Sequence, residues 1–323
     1  MVEVRRCEVL VVGGGPGGYV AGIRSAQLGL DTVIVEGSKY GGTCLIRGCI
    51  PSKAIIHAAD RFESLSQHAK EGGHMGISVH GSPSLNMKDL VGWKDSIVDR
   101  LNKGVESLLK TAGAEVIHGW ATFTGAKTCR VEMDGEQLDI EANNVIIATG
   151  SSHIDLPFMP CDEDLILSST GALDLQELPE TAAIVGGGYI GLELGCALAK
   201  LGTKVTVIEG MDDVLAMMDK EIRRPLEIWL KKHGVKIYRN ALARGAERIE
   251  SGGERKIRLK YEMGGENHSI DVDKILVTVG RKANLSGWGL EETGVRLGPD
   301  GRFIRTDRKC RTNIHTCKSQ KRS

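Results

Sequence analysis

Two cysteines five positions apart, Cys44 and Cys49, lie in the run Gly41-Gly42-Thr43-Cys44-Leu45-Ile46-Arg47-Gly48-Cys49-Ile50-Pro51-Ser52-Lys53. Thiols so placed can form a redox pair, ligate a metal, or be two unrelated buried groups. In an ideal helix, residues five apart stand roughly 8 to 9 Å apart between Cα atoms, whereas a disulfide wants about 5.5 to 6 Å. A bonded pair therefore needs locally distorted backbone, which Gly48 can supply. Pro51 suits the first turn of a helix running on through Lys53, Ile56 and Ala59. A zinc site would need two more ligands at suitable spacing. The other six cysteines, Cys7, Cys129, Cys161, Cys196, Cys310 and Cys317, form no second close pair, so no metal is expected. A redox pair and two unrelated thiols both stay open on spacing alone.

A second set of chemically telling residues is repeated. Sliding the chain against itself by 173 residues aligns Val11-Val12-Gly13-Gly14-Gly15-Pro16-Gly17-Gly18 with Ile184-Val185-Gly186-Gly187-Gly188-Tyr189-Ile190-Gly191. The Leu28-Gly29 and Leu201-Gly202 pairs and the closing Glu36 and Glu209 align without a gap. Each copy follows an apolar strand run, opens a helix and ends in a second strand with an acid 18 residues beyond the last glycine. Gly13 and Gly186 allow the tight turn, Gly15 and Gly188 let a pyrophosphate reach the backbone, and Gly18 and Gly191 let helix pack on strand. The helix N-termini, with Tyr189 and Ile190 opening the second, would hold the phosphates. Glu36 and Glu209 would accept from ribose hydroxyls and disfavour a 2′-phosphate. The repeat carries Glu193 where the first copy has apolar Val20. A carboxylate among Ile190, Leu194 and Ala197 needs a cation, and Lys53, one turn after Cys49, is the candidate, against a reading of two separately solvated charges.

The elements that must position these groups can be read between the repeats. A helix from Pro51 precedes a second amphipathic helix from about Met87 to Lys110, whose Leu90, Trp93, Ile97, Leu101, Val105 and Leu108 recur at helical spacing and are expected to face a core. Short strands at 129–133 and 137–140 flank an Asp134-Gly135 turn. Val145 to Gly150 reads as a buried strand, and Ile275 to Gly280 echoes it after the second repeat. Pro157, Pro160 and Pro179 mark the crossing between the units.

Composition excludes several classes of function. The chain has 323 residues, enough for about two domains. With 42 basic and 42 acidic residues, nothing favours a nucleic acid or a membrane surface as partner. Aromatic content of 4% beside 42 glycines suits turns that approach ligands rather than base-stacking platforms. No stretch approaches a membrane span, and the N-terminus passes almost at once into a strand, leaving no room for a signal peptide; a cytoplasmic protein is expected.

Taken together, these residues resemble the flavin-dependent pyridine nucleotide disulfide oxidoreductases, in their NAD-using dihydrolipoamide branch, over residues 5 to about 313. The most specific motif is Gly41-Gly42-Thr43-Cys44 through Gly48-Cys49-Ile50-Pro51-Ser52-Lys53, supported by Ala148-Thr149-Gly150, the second repeat and Val279-Gly280-Arg281. Ile50-Pro51-Ser52-Lys53 and Glu209 favour the NAD-using branch. The resemblance implies an α/β fold of two Rossmann-like, three-layer domains. An FAD-binding domain, 1–149 plus 276–312, would be interrupted by an NAD-binding domain, 150–275. It implies a Cys44–Cys49 redox disulfide, with Cys44 exchanging with lipoyl sulfur and Cys49 lying against the flavin, and Lys53 paired with Glu193 near the flavin ring. Gly13, Gly15, Gly18, Glu36, Gly42, Thr43, Lys53, Gly119, Thr149, Gly150, Gly280 and Arg281 would contribute to cofactor binding, the first repeat holding FAD. Gly186, Gly188, Tyr189, Ile190, Gly191 and Glu209 would bind NAD. The partner implied is the lipoyl domain of a 2-oxo-acid dehydrogenase complex, and the family is homodimeric.

The sequence departs from the family after Thr312-Asn313, where a Gly-Asp motif holding the flavin should follow. It reads Ile314-His315-Thr316-Cys317-Lys318-Ser319-Gln320-Lys321-Arg322-Ser323 instead, a tail expected to be disordered. The family's dimerisation domain, with its proton-accepting His-Glu pair, is expected to be absent. None of the nine histidines, His57 and His315 included, lies in that motif. A truncated chain with impaired lipoamide turnover is the first expectation. A diaphorase-like flavoprotein passing NADH electrons to small acceptors, and a non-catalytic nucleotide-binding fragment, are the alternatives.

Overall fold

The computed structural model describes residues 4–71, 76–251, 253–315 and 317–319. The chain opens with β1 (Val4–Val12), α1 (Pro16–Gln27) and β2 (Thr32–Glu36). Then come α2 (Gly42–Arg47), α3 (Cys49–Glu71) and α4 (Met87–Ala112), followed by β3 (Glu115–His118), β4 (Trp120–Phe123), β5 (Thr128–Met133) and β6 (Glu136–Ile147). The sheet order is β3-β2-β1-β6-β5-β4, and β1 pairs parallel with both β2 and β6. Strand order thus reverses beside β1, the place where an open α/β sheet leaves a crevice at the carboxyl ends of its strands.

The second repeat has the same plan. It comprises β7 (Ser151–His153), β8 (Ile166–Leu167), α5 (Ser169–Leu173), β9 (Thr181–Val185), α6 (Tyr189–Leu201), β10 (Lys204–Ile208), α7 (Lys220–Lys232) and β11 (Lys236–Tyr238). An antiparallel sheet of β12 (Ala241–Ser251), β13 (Glu254–Met263) and β14 (Glu266–Val272) leads back to β15 (Lys274–Val277). The all-parallel order β11-β10-β9-β15-β8 reverses between β9 and β15. Finally β16 (Arg281–Ala283) pairs with β7, and β17 (Cys317–Ser319) pairs parallel with Val145, Ile146 and Ile147 of β6.

The chain divides into two compact units: Met1–Ile50, Ile97–Ser152 and Lys282–Ser323 form the first, and Pro51–Ser96 with His153–Arg281 the second. Each has three layers, because strand residues alternate in direction. In the first unit, Leu10 and Val12 enter a core completed by Phe123, Val145 and Trp288, while Val9 and Val11 enter another with Tyr40, Val105 and Leu109. In the second, Ala182 and Ile184 face α6 residues Leu192, Leu194 and Leu198, and Ala183 and Val185 face Ile257, Leu259 and Tyr261 of β13. Burying a large apolar side chain in such layers contributes about 1.5 to 3 kcal/mol.

Several expectations are corrected. The buried side of α4 is turned from the apolar stripe: Leu90 and Val105 are inside, but Trp93 (44% exposed), Leu101 (38%) and Leu108 (59%) face outward. Lys94 and Asn102 take their place inside, because Lys94 pairs with Asp95 and Asp174, and the Asn102 amide donates to the Tyr40 carbonyl. Paired polar ends make those positions buriable. The strands read at 137–140 and from Val145 are one strand, β6, which lies between the antiparallel β5 and the parallel β1 and pairs with both over residues 139–141. The tail is not without structure, since β17 occupies the edge of β6 beyond the end of β5 and needs only backbone partners to do so. Upstream of it, Asn313 bridges Arg296 N and Gly294 O. The rest of the tail reading, at 316 and 320–323, and Met1 to Glu3 lie outside the described residues. Among the described residues no helix is long and apolar enough to cross a membrane.

Candidate functional site

The dithiol segment folds as two helices broken at Gly48. α2 ends at Arg47 and α3 begins at Cys49, and the break brings the two cysteines to 4.6 Å between Cα atoms, joined as a disulfide. Any side chain at Gly48 would begin 2.7 Å from the Thr43 carbonyl oxygen. Pro51 falls in the first turn of α3, where its missing N–H is no loss. Cys49 starts the 23-residue α3, and Cys44 lies in α2 before it.

Both glycine turns share one hydrogen-bond scheme. Gly13 N donates to Val35 O and Gly186 N to Ile208 O; Ala148 N donates to Val12 O and Thr278 N to Val185 O. Glu36 accepts from Gly14 N at 2.7 Å and from Ser38 N at 2.8 Å, and Glu209 accepts from Gly187 N at 2.6 Å and Met211 N at 2.7 Å. Two backbone donors hold each carboxylate, and its oxygens keep lone pairs for further donors. Gly13 (φ 104°) and Gly186 (φ 99°) take the conformation that favours glycine, each against a carbonyl of the next strand's end, Ala148 and Thr278. A Cβ at Gly18 or Gly191 would strike the carbonyl oxygen of Gly13 or Gly186. The helix N-caps are Gly15 and Gly188, which carry no side chain to cap the first-turn N–H groups of α1 and α6, and such groups suit an anion. A Cβ on Gly188 would meet nothing within 4 Å, whereas Gly42 (φ 56°) comes so close to Gly15 that its Cβ would strike the Gly15 Cα. These cradles fit a dinucleotide pyrophosphate at each turn.

Other expected residues distribute as follows. Thr43 lies in α2 beside Cys44. Gly119 N donates to Glu36 O where β3 turns into β4. Thr149 Oγ1 donates to Asn284 O, Asn284 Nδ2 to Thr149 O, and Asn284 N to Gly150 O, which fixes the end of β6. Gly280 (φ 126°) accepts from Ile154 N, and Arg281 begins β16. Tyr189 is largely exposed at the start of α6, and Ile190 packs towards the core. Lys53 and Glu193 do meet: Lys53 Nζ lies 2.8 and 2.7 Å from the two carboxylate oxygens. Their side chains are 58% and 40% exposed. Seven residues further along both helices, Lys200 pairs with Asp60, so α3 and α6 carry two ion pairs in one register.

Three supporting residues escaped the sequence reading. Tyr40 is fully buried, and its hydroxyl reaches the carbonyls of Ile34 and Ile117 while its ring crowds Gly14. Burial holds its phenol far above the ordinary value. Asn102 and Asn284 tie down the segments around the first turn. An aromatic immediately before Gly41-Gly42 was the available signal for Tyr40; isolated asparagines give none.

The family described as pyridine nucleotide-disulphide oxidoreductase matches residues 7–316. A dihydrolipoyl dehydrogenase from Geobacillus stearothermophilus is 45% identical over 307 residues, covering 95% of this chain and 63% of that protein. One from Pseudomonas aeruginosa is 42% identical over 315 residues, covering 97% and 65%. Among solved structures, LpdA from Mycobacterium tuberculosis superposes with a TM-score of 0.85 at 26% identity, covering 98% of this chain and 67% of that one. The HOCl-induced flavoprotein disulfide reductase RclA from Escherichia coli superposes with a TM-score of 0.80 at 26% identity, covering 97% and 65%. The chain spans less than two thirds of the length of these two curated relatives.

Proposed function

The chain belongs to the pyridine nucleotide-disulphide oxidoreductase family, and from that membership we propose a flavoprotein disulfide oxidoreductase of the dihydrolipoamide dehydrogenase type, oxidising protein-bound dihydrolipoamide with NAD⁺. The observation that carries the reading is the Cys44–Cys49 disulfide at the head of α3 in a chain with two dinucleotide turns. We assign FAD to the first turn, with Gly13, Gly15, Gly18, Glu36, Gly42 and Thr149, and NAD to the second, with Gly186, Gly188, Gly191 and Glu209. A lipoyl domain is the thiol-bearing partner we assign, and the cytoplasm the compartment.

Chemically, a dihydrolipoyl thiolate attacks Cys44 Sγ and Cys49 leaves as thiolate. The second substrate thiol, deprotonated by a base, attacks the substrate sulfur of the mixed disulfide; lipoamide departs and Cys44 leaves as thiolate. Two electrons have then moved from substrate to the cysteine pair. FAD supplies, when bound, the two-electron transfer from the dithiol to NAD⁺. Glu36 and Glu209 fix ribose hydroxyls, and the uncapped helix starts hold phosphate oxygens. The Lys53–Glu193 pair places a fixed cation and its counter-charge one turn from Cys49.

The test is the visible spectrum of the purified chain, with dihydrolipoamide and then NAD⁺ added, for the parent and for Cys44→Ser. Flavin reduction by dithiol in the parent and none in Cys44→Ser is expected. Undiminished reduction in Cys44→Ser would refute the disulfide route, and NADH oxidation by small acceptors in that variant would then favour a diaphorase.

A further inference from the structure

Among the described residues, outside the dithiol and nucleotide turns, one group of side chains has the donor chemistry of a metal site. His153 ends β7, and Asp155, two residues on, follows it. The chain then reverses through Leu156-Pro157-Phe158-Met159, with Leu156 and Met159 paired as a β-bridge and Met159 N donating to Leu156 O. This returns Cys161 to Asp155, whose Oδ1 accepts from Cys161 N at 3.1 Å. His153 Nε2 stands 3.4 Å from the same Oδ1. One nitrogen, one thiol sulfur and one carboxylate oxygen all lie within 4.8 Å of one another.

We propose that His153, Asp155 and Cys161 form a binding site for a borderline divalent cation, zinc being the best match. Around tetrahedral zinc, with bonds of about 2.0 to 2.3 Å, ligand atoms stand roughly 3.3 to 3.7 Å apart. The His153–Asp155 separation is already at that value, and the sulfur, within 4.8 Å of both other ligand atoms, has at most about 1 to 1.5 Å to close, a side-chain adjustment. The donor set is mixed nitrogen, oxygen and sulfur, which suits zinc and excludes magnesium and calcium, whose ligands are oxygens. Asp162 and Glu163, next along the chain, add negative charge, although Asp162 is partly neutralised by Arg248. Two prolines, Pro157 and Pro160, stiffen the loop between the ligands, so less freedom is lost when the cation closes it. Binding displaces the Cys161 proton to solvent and forms the metal–thiolate bond, with no change of oxidation state. Three protein ligands leave a fourth position for water or an incoming anion, as in open rather than closed zinc sites. No close cysteine pair announces the site, because its ligands follow His-x-Asp-x₅-Cys with only one thiol.

The test uses the full chain with the Cys44–Cys49 disulfide oxidised and no reductant present, dialysed against micromolar zinc. One zinc per chain is expected, with X-ray absorption fitting one sulfur and two or three nitrogen or oxygen neighbours. Cys161→Ser is expected to lower zinc affinity more than about tenfold, and Asp155→Asn, which keeps Oδ1 as acceptor for the loop, to do likewise if Cys161→Ser does not fold. Cys196→Ser is expected to change nothing. Absence of bound zinc, a two-sulfur environment, or parental affinity in both Cys161→Ser and Asp155→Asn would overturn the site.

Discussion

Replacing Gly188 by alanine separates folding from nucleotide binding. Gly188 has φ −76° and ψ 177°, extended backbone that alanine adopts freely, and its new Cβ would meet nothing within 4 Å. The folding cost is confined to the N-cap preference, below about 1 kcal/mol. If a pyrophosphate lies against this backbone, the methyl occupies its place and repacking costs about 1 to 3 kcal/mol, a loss of roughly 5- to 150-fold in NADH affinity. Equilibrium binding of NADH, with thermal melting and flavin content as controls, reads this out. NADH affinity within twofold of the parent, at unchanged melting temperature, would refute the placement of NAD at this turn. The mirror variant Gly15→Ala adds a Cβ 3.7 Å from Gly42 Cα, an ordinary contact, and is expected to reduce FAD retention while sparing NADH. The opposite pattern would reverse the assignment of the two cradles. Gly186→Ala is the positive control for misfolding, since φ 99° and a Cβ 2.8 Å from the Thr278 oxygen strain it whether or not nucleotide is present.

The remaining predictions concern the dithiol and its surroundings. Gly48→Ala places a methyl carbon 2.7 Å from Thr43 O, which is expected to cost about 1 to 3 kcal/mol and to slow reoxidation of the pair; unchanged melting and reoxidation would show that the turn relaxes freely. Glu193→Gln breaks a largely exposed ion pair worth less than about 1 kcal/mol, so melting should shift by less than about 4 °C while dithiol-driven flavin reduction slows; equal loss of both would assign the pair a purely structural role. Burial pushes the Cys7 and Cys196 thiols up to about 11 and the Cys129 thiol up to about 12. Their thiolate fraction at neutral pH is then at least about 100-fold below that of an ordinary thiol, and alkylation of the native protein at pH 7.5 should spare them. The sign for stability follows: both states hold these protons below pH about 9, but above it the unfolded chain ionises first, so stability falls as pH rises through the folded values of about 11 to 12. A chain that gains stability between pH 9 and 11 would contradict this burial.

What could be read from the sequence was whatever backbone geometry forces upon residue type. The two turns need glycine where φ is positive and where helix meets strand, so the 173-residue repeat announced two turns; that Glu36 and Glu209 also hold backbone N–H groups, one hydrogen-bond scheme used twice, is seen only in the structure. The cysteine spacing required distorted backbone only if the two thiols were bonded, and Gly48 marks where the helix breaks. Lys53 and Glu193 lie 140 residues apart; the apolar neighbours of Glu193 made Lys53 a candidate partner, and the resemblance decided for the pair over two separately solvated charges. The face of α4 was misread for a different reason. Periodicity records which side of a helix is apolar, whereas burial depends on what the facing elements offer, and here Asp174 and the Tyr40 carbonyl offer partners to Lys94 and Asn102. A buried lysine with its carboxylate and a buried amide with its carbonyl cost little, so the helix turns its polar pair inward and leaves Trp93, Leu101 and Leu108 outside. The strand β17 follows the same logic at the level of the backbone. A row of free groups on β6 accepts any chain that reaches it, whatever its side chains, and for that reason no alternation in residues 317–319 was needed to make it a strand.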